Sequence, residues 1–306
     1  MDKPMTIAQL PTATAIFDLT RYGLESRYYD TPVGRVRIFE GGSGPALLLL
    51  HGIGGGASSY YWARVAPLLA LHYRVTAFDF VGWGDSDHSR RQLLFDDYVA
   101  QIRTVLGLMG PVFAIASQGL SAGFAIAAAQ LTPRAGVGRF VMLFPTGGRD
   151  FGSDSFDPIR ARTISALARG PLLNTALYRL IFHRREAYWG WFKRRGFLNA
   201  AAVPADLIEA SFGSGTRPNA AYAALPFISG ALRYDIAPLL RAVARPSLML
   251  WGSDEKQIAP AIRARLATVN PAHVRCEIIP RTRTDFEFEA PDVTAATMLA
   301  FLRGER

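Results

Sequence analysis

Cysteine is nearly absent from this chain: Cys276 stands alone among 306 residues. A single thiol excludes an internal disulfide and a multi-cysteine metal site, and it fits a reducing compartment. Charge is sparse as well. Only 19% of residues are charged against 50% apolar, which excludes a chain kept disordered by polarity and leaves ample material for one large buried core. Histidine is scarce, with five in all and none at metal-ligand spacing, so neither a metal nor a cofactor is expected. The first twenty residues, MDKPMTIAQLPTATAIFDLT, lack an apolar h-region behind a basic n-region. No secretory signal is expected there, and the cytoplasm is the expected location.

One uncharged stretch is long enough to imitate a membrane span. From Thr104 to Pro133 the chain reads TVLGLMGPVFAIASQGLSAGFAIAAAQLTP. Gly110-Pro111 and the SQGLS cluster cut it into a β-forming run and an Ala-rich helix, the pattern of a buried parallel strand followed by a packed helix. Elsewhere short apolar runs alternate with helical patterns: VGRVRIF, ALLLL, YRVTAFDF, VFAIAS, RFVMLF, SLMLW and VRCEII. This alternation predicts an α/β fold, a mostly parallel central sheet flanked by helices. Residues 147–232 hold no comparable strand, only helix-like segments punctuated by Pro and Gly. They are expected to form a helical cap inserted after the sixth strand, with residues 1–146 and 233–306 as the core. Such a cap would cover the carboxyl ends of the strands, where open α/β sheets bind ligands.

Three motifs converge on one superfamily. ALLLLHGIGGGASS sets His51-Gly52-Ile53-Gly54 directly after a strand, where glycines let backbone N–H groups approach a developing oxyanion. FDFVGWGDSD follows the next strand, and IASQGLSAGFAIAAAQLTP supplies strand, tight turn and helix. Over residues 33–303 the chain resembles the α/β-hydrolase superfamily. It also resembles a bacterial group, found in cyanobacteria too, of α/β-hydrolase-like proteins of poorly defined activity with degraded acid and histidine motifs. That likeness rests on YRVTAFDFVGWGDSDHS, PTGGRDFGSD, TRPNAAYAALPFISGALRYDI and WGSDEKQIAPAIRARLATVNP.

The resemblance implies a nucleophile at the elbow, and two registers compete. Gly119-Leu120-Ser121-Ala122-Gly123 meets the pattern G-x-S-x-G and names Ser121. Superfamily members carry Ala and Pro at offsets that lead back from Ala125 and Pro133 to Gly119. In that register the apex has no side chain, and Leu120 donates the second oxyanion-hole N–H beside Ile53. The acid position falls at Asp254 or Glu255, for which ordinary solvated loop carboxylates are the competing reading. The histidine position, counted back from Glu289-Ala290-Pro291, reads Thr284. Threonine cannot take a proton at neutral pH as imidazole does. Among the other histidines, His51 belongs to the oxyanion loop, His72, His88 and His273 lie away from the site, and His183 lies in the cap. Asp285 and Glu287 could bring a carboxylate in, with alternation along an extended loop directing one of them to solvent.

The net charge of +9 comes without any nucleic-acid motif, so no nucleic-acid partner is expected. Residues 182–197, FHRREAYWGWFKRRGF, interleave Arg and Lys with Trp and Tyr. This suits either a peripheral contact with an anionic membrane or a cap helix with a charged outer face. An Ala/Leu/Phe-rich cap favours an apolar small molecule of lipid, isoprenoid or pigment-ester type. Three functions fit: a hydrolase of hydrophobic esters with an unidentified base, a non-hydrolytic lyase or cyclase, and a non-catalytic binding protein.

Overall fold

The structure, a computed structural model, describes residues 17–148 and 171–305. The amino-terminal sixteen residues and most of PTGGRDFGSD lie outside the described residues, as do 149–170 of the expected cap. Eight strands form one sheet: β1 (Glu25–Thr31), β2 (Gly34–Gly41), β3 (Ala46–Leu50), β4 (Arg74–Phe78), β5 (Ala114–Gln118), β6 (Arg139–Leu143), β7 (Ser247–Gly252) and β8 (Val274–Ile279). Their spatial order is β1-β2-β4-β3-β5-β6-β7-β8, antiparallel at β1/β2 and β2/β4 and parallel elsewhere.

The central strands form where apolar runs are buried on both faces. β3, β5 and β7 are buried at every position, as a parallel sheet covered by helices on both sides requires. The uncharged stretch resolves into the end of helix α1 (Phe95–Met109), strand β5 and helix α2 (Ser121–Leu131). Gly110, at φ +73°, breaks the first helix, and Gly119 turns the chain between β5 and α2. Among the described residues no helix is long and apolar enough to cross a membrane.

Helix α2 is buried from Ser121 to Ala128, and its small residues admit close neighbours. A Cβ at Gly123 would lie 2.4 Å from the Tyr234 ring, whose hydroxyl accepts the Gly123 N–H at 3.2 Å. The small-residue pattern at the start of α2 therefore has a packing cause. Between β6 and β7 the described chain is helical: α3 (Pro171–Phe182), α4 (Arg185–Trp191), α5 (Ala205–Gly215) and α6 (Ala220–Ser229). The chain re-enters the sheet layer at Tyr234, whose N–H donates to Gly147 O at 2.8 Å. Rings knit the helices together, Tyr178 stacking on Phe182 at 4.8 Å and Tyr188 meeting Phe212 edge-on at 6.3 Å.

Candidate functional site

A cavity of about 500 Å³ opens at the carboxyl edge of the sheet, between the strand ends and helices α3, α4 and α6. The core supplies Gly52 and Ile53 after β3, Gly119 and Leu120 after β5, and Thr284 and Asp285 after β8. The helical segment supplies Phe182, Tyr188, Trp191 and Ile228. The walls are mostly apolar, with a few polar groups gathered at the sheet end, the usual form of a small-molecule site.

The oxyanion loop is held from beneath. His51 is buried, its Nδ1 donates to Gly52 O at 2.7 Å, and its Nε2 accepts from Phe80 N–H at 3.1 Å. Burial lowers its pKa to about 4, so the ring is neutral and structural. Asp79 plays a matching part after β4, accepting from Ser59 N–H at 2.8 Å and Asp85 N–H at 2.9 Å. Gly52 N–H donates to Gln118 Oε1 at 3.2 Å, tying this loop to the elbow. Among the described residues no hydrogen bond takes up the N–H of Ile53 or Leu120, and both residues line the cavity.

At the elbow, Gly119 follows the last residue of β5 and carries φ +55°, the left-handed turn that a side chain adopts only under strain. Its N–H donates to Leu143 O at 3.0 Å, and it faces the cavity. Ser121 opens α2 two residues on, is fully buried and does not line the cavity. Its Oγ donates to His51 O at 2.5 Å.

On the opposite side, Thr284 Oγ1 donates to the Glu255 carboxylate at 2.9 and 3.1 Å. Glu255 is buried and also accepts from Gln257 N–H at 2.5 Å, and burial raises its pKa. Asp254 is exposed and accepts from Ser253 Oγ at 2.6 Å. None of the five histidines lines the cavity, and His183 is exposed on the helical segment.

The loop after Thr284 departs from expectation. Alternation directs one of Asp285 and Glu287 outward, yet both are buried, because the chain turns helical over Phe286–Glu289 instead of running extended. Asp285 lies under the Phe192–Gly196 turn, its N–H donating to Gly196 O at 3.0 Å. A Cβ at Gly196 would collide with Asp285 Oδ2, so a side chain there would push the carboxyl aside. Glu287 Oε1 accepts from Gln118 Nε2 at 3.1 Å. Sequence reasoning missed Gln118, which bridges the oxyanion loop to this carboxylate. Its place beside the elbow glycine in SQG was the one signal available.

The comparisons with known proteins agree with this architecture. Residues 47–297 match the model of the alpha/beta hydrolase family. Haloalkane dehalogenase 2 of Mycobacterium tuberculosis is 27% identical over 292 residues, covering 91% of this chain and 95% of that protein. A 2-hydroxy-6-oxononadienedioate/2-hydroxy-6-oxononatrienedioate hydrolase of Paraburkholderia xenovorans is 27% identical over 239 residues, covering 72% and 74%. Among solved structures, a haloalkane dehalogenase variant from Agrobacterium tumefaciens superposes with a TM-score of 0.75 at 19% identity, covering 92% of this chain and 97% of that one. A carboxylesterase from Bacillus subtilis does so at 0.71 and 20%, covering 96% and 99%. At such identities the structures speak for the fold, and the family match spans most of the sequence. This chain belongs to the α/β-hydrolase family.

Proposed function

We propose that this chain holds an apolar, carbonyl-bearing small molecule of lipid, isoprenoid or pigment-ester type beneath a helical cap of residues 147–232, and handles it without a covalent serine intermediate. The observation that carries the reading is Gly119 at φ +55° at the apex of the strand-to-helix turn, where a nucleophile would need a side chain. Three others support it. Ser121 Oγ is spent on His51 O, Thr284 occupies the base position with its hydroxyl on Glu255, and no histidine lines the cavity. Ester hydrolysis through Ser121 would require that hydroxyl to leave a buried bond, turn toward the cavity and find a base. The N–H groups of Ile53 and Leu120 remain as a cradle for a ligand oxygen.

Binding of 2-decanone, followed through the fluorescence of Trp191 at the cavity wall, tests the reading. At roughly 0.8 kcal/mol per buried methylene, less the cost of association, a ten-carbon ketone should bind with a Kd on the order of micromolar to millimolar. Ile228→Trp, which fills the cavity, should weaken binding at least about tenfold. Absence of saturable binding, or turnover of p-nitrophenyl decanoate that depends on Ser121, contradicts the proposal.

The ligand's route follows from the outer rim of the same helices. Trp189 and Trp191 are 39% and 37% exposed, Leu180 and Leu198 are exposed as well, and Arg184, Lys193 and Arg194 supply positive charge. Trp191 and Arg194 also line the cavity. Rings at headgroup level with cations on anionic lipid would place the mouth of the cavity at a membrane surface.

A further inference from the structure

We infer that Asp285 is the proton-transfer group of this cavity, in the place of the absent imidazole, and that it serves removal of a proton from the carbon beside a ligand carbonyl. The inference rests on the reading that the cavity holds an apolar carbonyl compound, and it adds a reaction and a catalytic residue.

Asp285 lines the cavity, is 2% exposed, and its Oδ2 is buried with no hydrogen-bond partner. Glu287, fully buried beside it, bonds Gln118 through Oε1 and leaves Oε2 unpartnered. Among the described residues no ion pair reaches either carboxyl, and no three His, Cys, Asp or Glu side chains gather as metal ligands. Two buried carboxyls left short of partners cost stability, which makes them poor structural elements and good candidates for chemistry.

The surroundings set the protonation. Glu255, Glu287 and Glu289 face Asp285 from the loop after β7 and from its own turn, with Tyr60 and Tyr61 from the Ser59–Trp62 turn, while Arg194 and Arg195 line the cavity wall. Burial first, and then the negative charges of Glu255 and Glu289, push Asp285 up to about 8, and burial and Asp285 raise Glu287 well above the carboxylate range. Gln118 links Glu287 to Gly52, so the carboxyl pair, the elbow and the oxyanion loop share one hydrogen-bonded frame.

The step balances without a leaving group or an oxidant. The C–H bond beside the carbonyl breaks, and its proton passes to the Asp285 carboxylate. The freed pair forms a carbon–carbon double bond as the carbonyl π pair moves to oxygen. That oxygen accepts the N–H groups of Ile53 and Leu120, and Asp285 returns the proton to carbon.

Deuterium incorporation into 2-decanone in D2O, read by mass spectrometry alongside binding, tests this. The wild-type protein should speed exchange at the carbons flanking the carbonyl, with the rate rising through a midpoint near pH 8. Asp285→Asn should bind the ketone normally and lose at least about a hundredfold in exchange. Glu255→Gln removes the nearest negative charge that raises Asp285 and should move the midpoint to lower pH. Unchanged exchange in Asp285→Asn, or wild-type binding without exchange, overturns the inference and leaves the binding proposal standing. Failure of the wild type to bind 2-decanone overturns both. Should Asp285→Asn not fold, an unmoved midpoint in Glu255→Gln is the overturning result.

Discussion

The two walls of the cavity present different kinds of group. On the side of β3 and β5, Ile53 and Leu120 line the cavity around a left-handed turn, no hydrogen bond among the described residues takes up their N–H groups, and His51 and Gln118 hold the neighbouring Gly52. On the side of β7 and β8, the Thr284 hydroxyl donates to the buried Glu255 carboxylate, and one residue along Asp285 keeps an Oδ2 without a hydrogen-bond partner. Backbone donors depend on chain path, which the fold preserves. Nucleophile and base depend on single side chains, which one substitution removes.

The sharpest way to break this contrast is to restore the lost side chains. Gly119→Ser combined with Thr284→His should give an enzyme labelled stoichiometrically by a fluorophosphonate at position 119, since Glu255 already lies where a histidine at 284 would need its acid. The added Cβ meets the Phe144 ring edge at 3.3 Å, a contact that a small ring shift relieves. Intact mass before and after labelling checks this.

A smaller effect separates the walls by pH. Burial and the neighbouring carboxylates push Asp285 from its ordinary value of 3.8 up to about 8 in the folded chain, so between those values the unfolded chain has released a proton that the folded one keeps. Stability is therefore lost as pH rises from about 4 to about 8. Melting curves should place Asp285→Asn above wild type at pH 8, with the gap closing toward pH 4. A gap independent of pH would contradict the buried neutral acid. Next in size, Trp189→Ser with Trp191→Ser should lower co-sedimentation with phosphatidylcholine/phosphatidylglycerol vesicles roughly tenfold, and wild-type binding should fall with salt. The smallest effect is Ser121→Ala. It should cost about 1 kcal/mol in denaturant melts for the lost bond to His51 O and leave ketone binding unchanged.

What was legible in the sequence follows the same division. β3, β5, β6 and β7 announce themselves as apolar runs because parallel strands are buried on both faces. β1, ESRYYDT, is exposed along nearly its whole length at the sheet edge, so it carries no hydrophobic pattern to read and was missed. The elbow was legible only to two registers, because G-x-S-x-G is satisfied by composition while the apex is defined by a dihedral angle. Thr284 was found by counting from Glu289-Ala290-Pro291, but the burial of Asp285 and Glu287 was not. It depends on Gly196, far earlier in the chain, closing over one, and on Gln118 reaching the other.

The central claim is that no activated serine faces this cavity. Intact mass after incubating the folded wild-type protein with a fluorophosphonate tests it most directly, because labelling requires a nucleophilic hydroxyl, a base and an oxyanion hole together. The account predicts an unchanged mass. Stoichiometric addition mapped to Ser121 would contradict it.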